Sequence, residues 1–296
     1  MNIREKGFLL LTSSLGDAKR KPLTAAQLRT LAKCMKAVDR DLEDRELRLE
    51  DLTGLGLRPE LAGHILGLLE DGLLLEQYMT RGAEKGCVPL SRISPQYPVT
   101  LRSRLGANAP GCIWLKGDAQ LLTCPAVALV GSRDIGPDNQ RFAEAVGRQA
   151  AKQGYVLISG NARGSDKIAQ SSCLEAGGRV ISIVADCLYQ HHRNENILYV
   201  SEDGFDLPFH ARRALSRNRL IHSLGSRTFV AQSSAFRGGT WEGTTQNLQA
   251  GWSPVFCFQD GSQATLELIQ RGAEGVNIDE LGNFSLLSGG EIGLFD

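Results

Sequence analysis

Three short stretches combine small residues with hydroxyl or cationic side chains: Gly131-Ser132-Arg133, the run Ser159-Gly160-Asn161-Ala162-Arg163-Gly164-Ser165-Asp166, and Arg237-Gly238-Gly239-Thr240. That mixture is suited to holding an anion. Glycine removes the Cβ that keeps a ligand away from main-chain amides. Free N–H groups and the positive dipole end at a helix start favour phosphate. Arg133 and Arg163 add charge-assisted bonds that can be bidentate. One such loop alone is most simply a tight strand-to-helix turn. Three in one region point to a phosphate site. Asp166 is expected to cap the following helix rather than to take part in chemistry.

The cations around these loops extend the same idea. From Leu207 to Trp241 there is no Asp or Glu, yet Arg212, Arg213, Arg217, Arg219, Arg227 and Arg237 occur there with His210 and His222. An acid-free arginine stretch predicts a phosphate-tracking patch, with Arg217, Asn218 and Arg219 among its contacts. Phe205, Phe209 and Tyr189 are of the type that stacks on bases, although core positions are the simpler expectation for them.

Catalytic chemistry is thinly supplied. His191-His192 lies in a polar stretch without a metal-ligand companion and is expected on a surface loop. Ser132 and Ser159 have no evident base partner. Cys173 and Cys187 sit in or beside apolar segments, as packing residues do. There is no Walker lysine motif and no G-x-G-x-x-G after the first strand of the region. We expect no catalytic residue, no metal and no cofactor. Glu242, in Gly-Gly-Thr-Trp-Glu, is the one isolated acid near a candidate loop.

The elements that must position these loops follow from hydrophobic periodicity. Short apolar runs at 126–130, 155–158, 179–185, 226–231 and 254–258 alternate with helical patterns, such as Phe142, Ala145, Val146 and Ala150. Strands alternating with amphipathic helices predict an α/β domain: a doubly wound, mostly parallel Rossmann-like sheet covered on both faces. In such sheets ligands bind beyond the carboxyl ends of the strands, where the three loops fall. We place this domain at 118–287. Residues 1–85 read as a small helical domain, with Leu28, Leu31, Ala32 and Met35 at helical spacing and a charge-dense stretch from Asp39 to Asp51. Within it, a helix pair at 53–73 hinged on Gly54 and Gly56 has the look of a helix-hairpin-helix or SAM-like unit, for which plain helix packing is the commoner role. The proline-containing stretch 86–117 reads as a connection, and 288–296 as a tail.

Composition narrows the function classes. Lys plus Arg and Asp plus Glu are equal at 33 each, so only a local patch can attract nucleic acid. The 42% hydrophobic and 22% charged residues are those of an ordinary globular chain. Seven cysteines form no C-x-x-C pair, which suits a reducing compartment and offers no zinc signature. The apolar run Phe8 to Leu11 is too short for a signal peptide, and no stretch approaches a membrane span. A cytoplasmic protein without membrane association is expected.

The motifs also occur together in a known order. VALVGSR, SGNARGSD, the Arg-Asn-Arg of SRNRLIH, a Gly-Gly-Thr loop and a late LIQRGAEGV, preceded by SPQYPVTLRSRLGANAPGCIWLKGD, resemble the DprA/Smf DNA-processing family over about residues 86–280. The resemblance implies an extended Rossmann fold that binds single-stranded DNA, usually as a homodimer. It implies a role in natural transformation or recombination, with loading of a RecA-type recombinase. In that family the arginine after Gly-Ser and the basic residue of the Ser-Gly-x-Ala-x-Gly-x-Asp loop line the DNA pocket, here Arg133 and Arg163. Asn161 and Ser165 replace the family's usual aliphatic residues, Gln170 stands where histidine is common, and GGTWEG replaces a serine-glycine-serine turn. The residues after the Rossmann-like region are too few for a C-terminal winged helix. A different outcome stays open. GGTWE partly resembles the motif of nucleotide phosphoribohydrolases, in which Glu242 would support cleavage of an N-glycosidic bond. The same pocket would also serve a nucleotide-sensing defence module.

Overall fold

The computed structural model describes residues 1–36, 46–202 and 204–287. Most of the charge run expected at 39–51 and the tail 288–296 lie outside them. Among the described residues, nine strands form one sheet in the order β1-β2-β6-β5-β4-β3-β7-β8-β9.

The chain begins with helices. α1 (Ile3–Thr12) starts with a reciprocal cap, in which Asn2 accepts from the Glu5 amide and Glu5 from the Asn2 amide. α2 (Ala25–Met35) repeats the device with Thr24 and Gln27. α3 (Leu49–Gly54) turns through Gly56, at φ +87°, into α4 (Pro59–Glu70), and α5 (Gly72–Glu84) follows. Leu23, Leu52, Leu57, Ala62, Ile65 and Leu68 form their own small core. The buried Arg20 fastens three segments together, donating to the carbonyls of Leu10, Ser13 and Leu68 and to the Asp71 carboxylate.

The helices pack directly on the sheet. Tyr78 of α5 meets the rings of Trp114 and Phe205 at centroid distances of 5.1 and 4.7 Å, beside Leu9 and Leu75. The stretch 86–117, expected as a connection, supplies β1 (Val88–Ser91), α6 (Val99–Leu105) and β2 (Cys112–Lys116). β1 and β2 are antiparallel, and β2 runs antiparallel to β6 (Ile197–Ser201). Pro89 misled the strand reading because proline is excluded only from interior strands, and β1 is an edge.

The remaining pairings are parallel. β3 (Ala126–Val130) lies between β4 (Val156–Ser159) and β7 (Thr228–Val230). β5 (Arg179–Ile183) follows β4 on one side, and β8 (Val255–Phe258) and β9 (Glu274–Val276) follow β7 on the other. The period of two divides the central strand between two cores. Val127 and Leu129 join Phe142, Val146, Ala169 and Cys173 of α7 (Pro137–Lys152) and α8 (Ser165–Glu175). Ala128 and Val130 join Leu220, Ile221, Trp241 and Leu268 on the opposite face, from α10 (Asn218–Leu224), α11 (Gly239–Ala250) and α12 (Gln263–Gln270). Burial of β3 on both faces explains its uninterrupted apolar run. The expected doubly wound, Rossmann-like α/β sheet is present.

Candidate functional site

Strand order reverses at β3, whose chain leaves towards β4 while β7 returns beside it. A crevice forms beyond the carboxyl ends at such a switch point. Here it holds two adjoining cavities. The first, of about 420 Å³, is lined by Gly131, Ser132, Arg133, Asp134, Arg217, Asn218, Arg237, Gly238, Gly239 and Thr240. The second, of about 400 Å³, is lined by Arg133, Gly160, Asn161, Ala162, Arg163, Asp186 and Phe209. Arg133, Ala162, Ala214 and Arg217 border both. α9 (Ala211–Ser216) roofs the pair with Ala211, Ala214 and Leu215.

Arg217 sits at the junction of α9 and α10 and is 7% exposed. Its Nη2 lies 3.9 Å from Oδ2 of Asp166, which is equally buried. Burial pushes the Asp166 carboxyl upward, opposed by Arg217, the amides of Ala162 and Gly160, and Arg133. Burial pulls Arg217 downward, with Asp166 opposing, yet a guanidinium remains charged in proteins. Its buried Nε has no hydrogen-bond partner. A permanent cation with unused donor capacity therefore borders both cavities.

The loop glycines serve a different purpose from the one expected of them. A Cβ at Gly131 would collide with the side chain of Ser165, whose Oγ donates to the Ser132 carbonyl at 2.9 Å. Gly164, at φ +83°, brings the α8 start against the carbonyls of Ser132 and Arg133. Gly160 makes room for Arg217. The first two loops are thus packed against each other, and the close approach their glycines permit is to protein. Gly238 differs, with open space where its Cβ would be, at the start of α11. Asn218 Nδ2 ties that start in place by donating to the Gly239 carbonyl at 2.9 Å.

Several expected roles are corrected. Asp166 is not the cap of α8: the helix begins at Ser165, Gly164 occupies the cap position, and the Asp166 carboxylate reaches back to the Ala162 amide at 3.2 Å. Ser159 is buried and accepts from Gln170 Nε2 at 2.6 Å, facing the core rather than a cavity. Arg219 is not brought to the crevice. It pairs with Glu202 at 2.5 Å, donates to the Asn108 carbonyl and lines a separate cavity beside α6. The arginines of 207–241 do not form one continuous patch either. Arg213 binds the carbonyls of Ala185, Leu207 and Pro208, and Arg227 lies near the Phe256 ring and donates to the Leu287 carbonyl. Arg217 and Arg237 do line the crevice.

Arg163 is exposed and pairs with the exposed Asp134 at 2.5 Å across the mouth. Phe205 is core, and Tyr189 carries Lys85 over its ring, but Phe209 is 56% exposed and lines the second cavity. Asp186 was not anticipated from sequence. His191, expected on a polar loop, lies with Nε2 2.8 Å from Asp186 Oδ1 and stacks on Tyr199 at 4.6 Å. Glu242 stands in the first turn of α11 and does not line either cavity. Among the described residues, no group of three or more His, Cys, Asp or Glu is placed to hold a metal ion, and no helix is long and apolar enough to cross a membrane.

The profile of the DNA recombination-mediator protein A family matches residues 90–284. The chain belongs to that family. The DNA processing protein DprA of Bacillus subtilis is 24% identical over 203 residues, covering 64% of this chain and 67% of that protein. DprA of Streptococcus pneumoniae is 31% identical over 185 residues, covering 56% and 64%. The chain spans about two thirds of the length of those two proteins. The X-ray structure of the Streptococcus pneumoniae DprA superimposes with a TM-score of 0.71 at 25% identity, over 95% of this chain and 97% of that one. A structure of DprA from Helicobacter pylori, described for its single-stranded DNA binding mode, gives a TM-score of 0.57 at 25% identity, over 68% and 95%.

Proposed function

We propose that this protein binds single-stranded DNA, with the phosphates held between Arg133, Arg163, Arg217 and the α11 start at Gly238, Gly239 and Thr240. The observation that carries this is Arg217, a buried guanidinium with an unpartnered Nε at the meeting point of two cavities. A backbone phosphate supplies the anion that completes it. The loops of β3 and β4 lock each other into place, so the site is formed before the ligand arrives. Family membership, and the single-stranded DNA binding described for the Helicobacter pylori DprA, support the same ligand. The family resemblance extends it to a homodimer that passes DNA to a RecA-type recombinase during uptake or recombination.

The role is one of binding rather than catalysis. An acid or base needs a partner that positions it at the reacting atom. Glu242, the acid on which a phosphoribohydrolase would depend, lies outside both cavity linings.

A titration series with single-stranded, double-stranded and mononucleotide ligands tests the proposal. Affinity should grow with oligonucleotide length, favour the single strand, and fall by orders of magnitude as salt rises to roughly 0.2 M, because neutralised phosphates release counterions. Salt-insensitive binding would sink it. Base release from nucleoside monophosphates that disappears in Glu242→Ala would replace it with the hydrolase.

A further inference from the structure

The cavity beside α6 that Arg219 lines has a volume of about 730 Å³ and lies between the N-terminal helices and the sheet. Among the described residues, none borders both it and the crevice. The N-terminal helices give it an apolar side with Leu23, Ala25 and Leu28. The opposite side is cationic, with Arg92, Arg104 and Arg219.

One of these three charges is neutralised in place. Arg219 pairs with Glu202 at 2.5 Å, the one carboxylate on the described lining. The other two differ. Among the described residues, Arg92 and Arg104 have no carboxylate partner, and each is fixed by carbonyls through Nη1 alone. Arg92 donates to Ala107 and Ala109, and its guanidinium lies 5.3 Å from the centre of the Phe8 ring. Arg104 donates to Ser223 and Gly225 at the end of α10. Nε and Nη2 of both keep their donor capacity, and both side chains are only half-buried. Burial pulls both guanidinium groups downward, yet they stay charged. Two permanent cations thus share a partly dehydrated cleft with no counter-charge of their own. An oxyanion relieves that cost through charge-assisted bonds.

We propose that this cleft binds a free nucleoside diphosphate, with its phosphates on Arg92 and Arg104. Two guanidinium forks match two phosphate groups. The volume exceeds the needs of an inorganic ion and falls in the range of small-molecule sites, roughly 300–1,000 Å³. The rest of the lining suits a nucleoside. Gln246 and Gln249 stand one turn apart on α11, both exposed, and their amides can donate to and accept from a base edge. Leu28 and Trp252 supply apolar surface beside them. The site is separate from the one assigned to single-stranded DNA and does not depend on it.

Isothermal titration calorimetry on the full chain, in magnesium-free buffer with ADP, GDP, CDP and UDP, tests this. At least one should bind one-to-one, about tenfold more tightly than its monophosphate, because the second phosphate adds a charge-assisted contact. Pyrophosphate should bind more weakly than that diphosphate. Gln249→Glu sets a carboxylate at an exposed position of the lining and should weaken binding roughly tenfold without changing the melting temperature. Arg92→Gln should weaken it at least as much. Arg133→Glu, in the crevice, should leave it unchanged, as should a saturating thymidine oligonucleotide. The absence of binding by all four diphosphates would overturn the proposal. Binding lost in Arg133→Glu but kept in Gln249→Glu would move the ligand to the crevice and overturn it too. Pyrophosphate affinity equal to the diphosphate's would overturn the nucleoside contact, and displacement by the oligonucleotide would make DNA the source of the phosphates. The comparison of diphosphate with monophosphate uses the wild-type chain alone, so a variant that fails to fold does not shelter the proposal.

Discussion

A β-carbon placed on Gly160 would fall inside the guanidinium of Arg217. The second loop and the α9–α10 junction are therefore fitted to one another at a single residue. Gly160→Ala must move Arg217 or the β4 carboxyl end, and overpacking of this kind costs about 1–3 kcal/mol. We expect a lower melting temperature and single-stranded DNA affinity reduced as far as in Arg217→Gln. Calorimetry and anisotropy on the same sample check both. Wild-type affinity in Gly160→Ala would show that Arg217 does not need its present position.

Arg163 stands at the opposite extreme. Its ion pair with Asp134 is exposed on both sides, and exposed pairs contribute little to stability. Arg163→Glu should leave the urea midpoint almost unmoved, by less than about 0.5 kcal/mol, while greatly weakening oligonucleotide binding. An unfolded variant would assign Arg163 to the scaffold.

Asp166 should be more costly than a helix cap. A cap lost to alanine costs about 1 kcal/mol. Asp166 instead neutralises a buried arginine, and removing one partner of a buried pair costs about 3–5 kcal/mol. We expect Asp166→Asn to lose the larger amount in chemical denaturation. A loss near 1 kcal/mol would mean that Arg217 is satisfied without it.

His222 gives the fold a sensitivity to acid. It is 1% exposed, with Nδ1 3.2 Å from both Thr228 Oγ1 and Asn247 Nδ2, and burial pulls its pKa down to about 3, with Arg217 adding to the effect. The unfolded chain takes up a proton near pH 6.5, which the folded chain refuses. Stability therefore falls as pH drops from about 6.5 towards 3, by up to about 1.4 kcal/mol per pH unit. Urea midpoints at pH 7 and pH 5 should differ more for the wild type than for His222→Gln. Parallel lines would refute the assignment.

Much of the crevice is legible in the sequence because each loop follows an apolar strand: Val130 into Gly131, Ile158 into Ser159, Val230 towards Gly238. Backbone periodicity carries that much. Which arginine enters is set by rotation. Arg217 and Arg219 are two residues apart where the chain is helical, so they leave on nearly opposite faces, and the Arg-Asn-Arg motif cannot deliver both to one site. That distinction was available from helical geometry. The burial of Arg217 was not, because it depends on the missing side chain of Gly160, far away in the chain. Nor was the Asp186–His191 pair, in which His191 reads as one polar residue among many until Tyr199 is placed beneath it.

The antiparallel margin of the sheet has a consequence for how the chain is made. β2 is hydrogen-bonded on one side to β1, which precedes it, and on the other to β6, which is translated much later. A ribosome releasing the chain from its N-terminus delivers the helices, β1 and β2 first, and Trp114 can already pack on Tyr78. The ladder from Trp114 to Lys116 must then wait for Ser201 to Tyr199. Through that interval the nascent hairpin carries an open strand edge, the kind of surface on which partly synthesised chains associate wrongly. Closure of the sheet by β6 ends that exposure, at the same stage of synthesis that completes the β5 side of the second cavity.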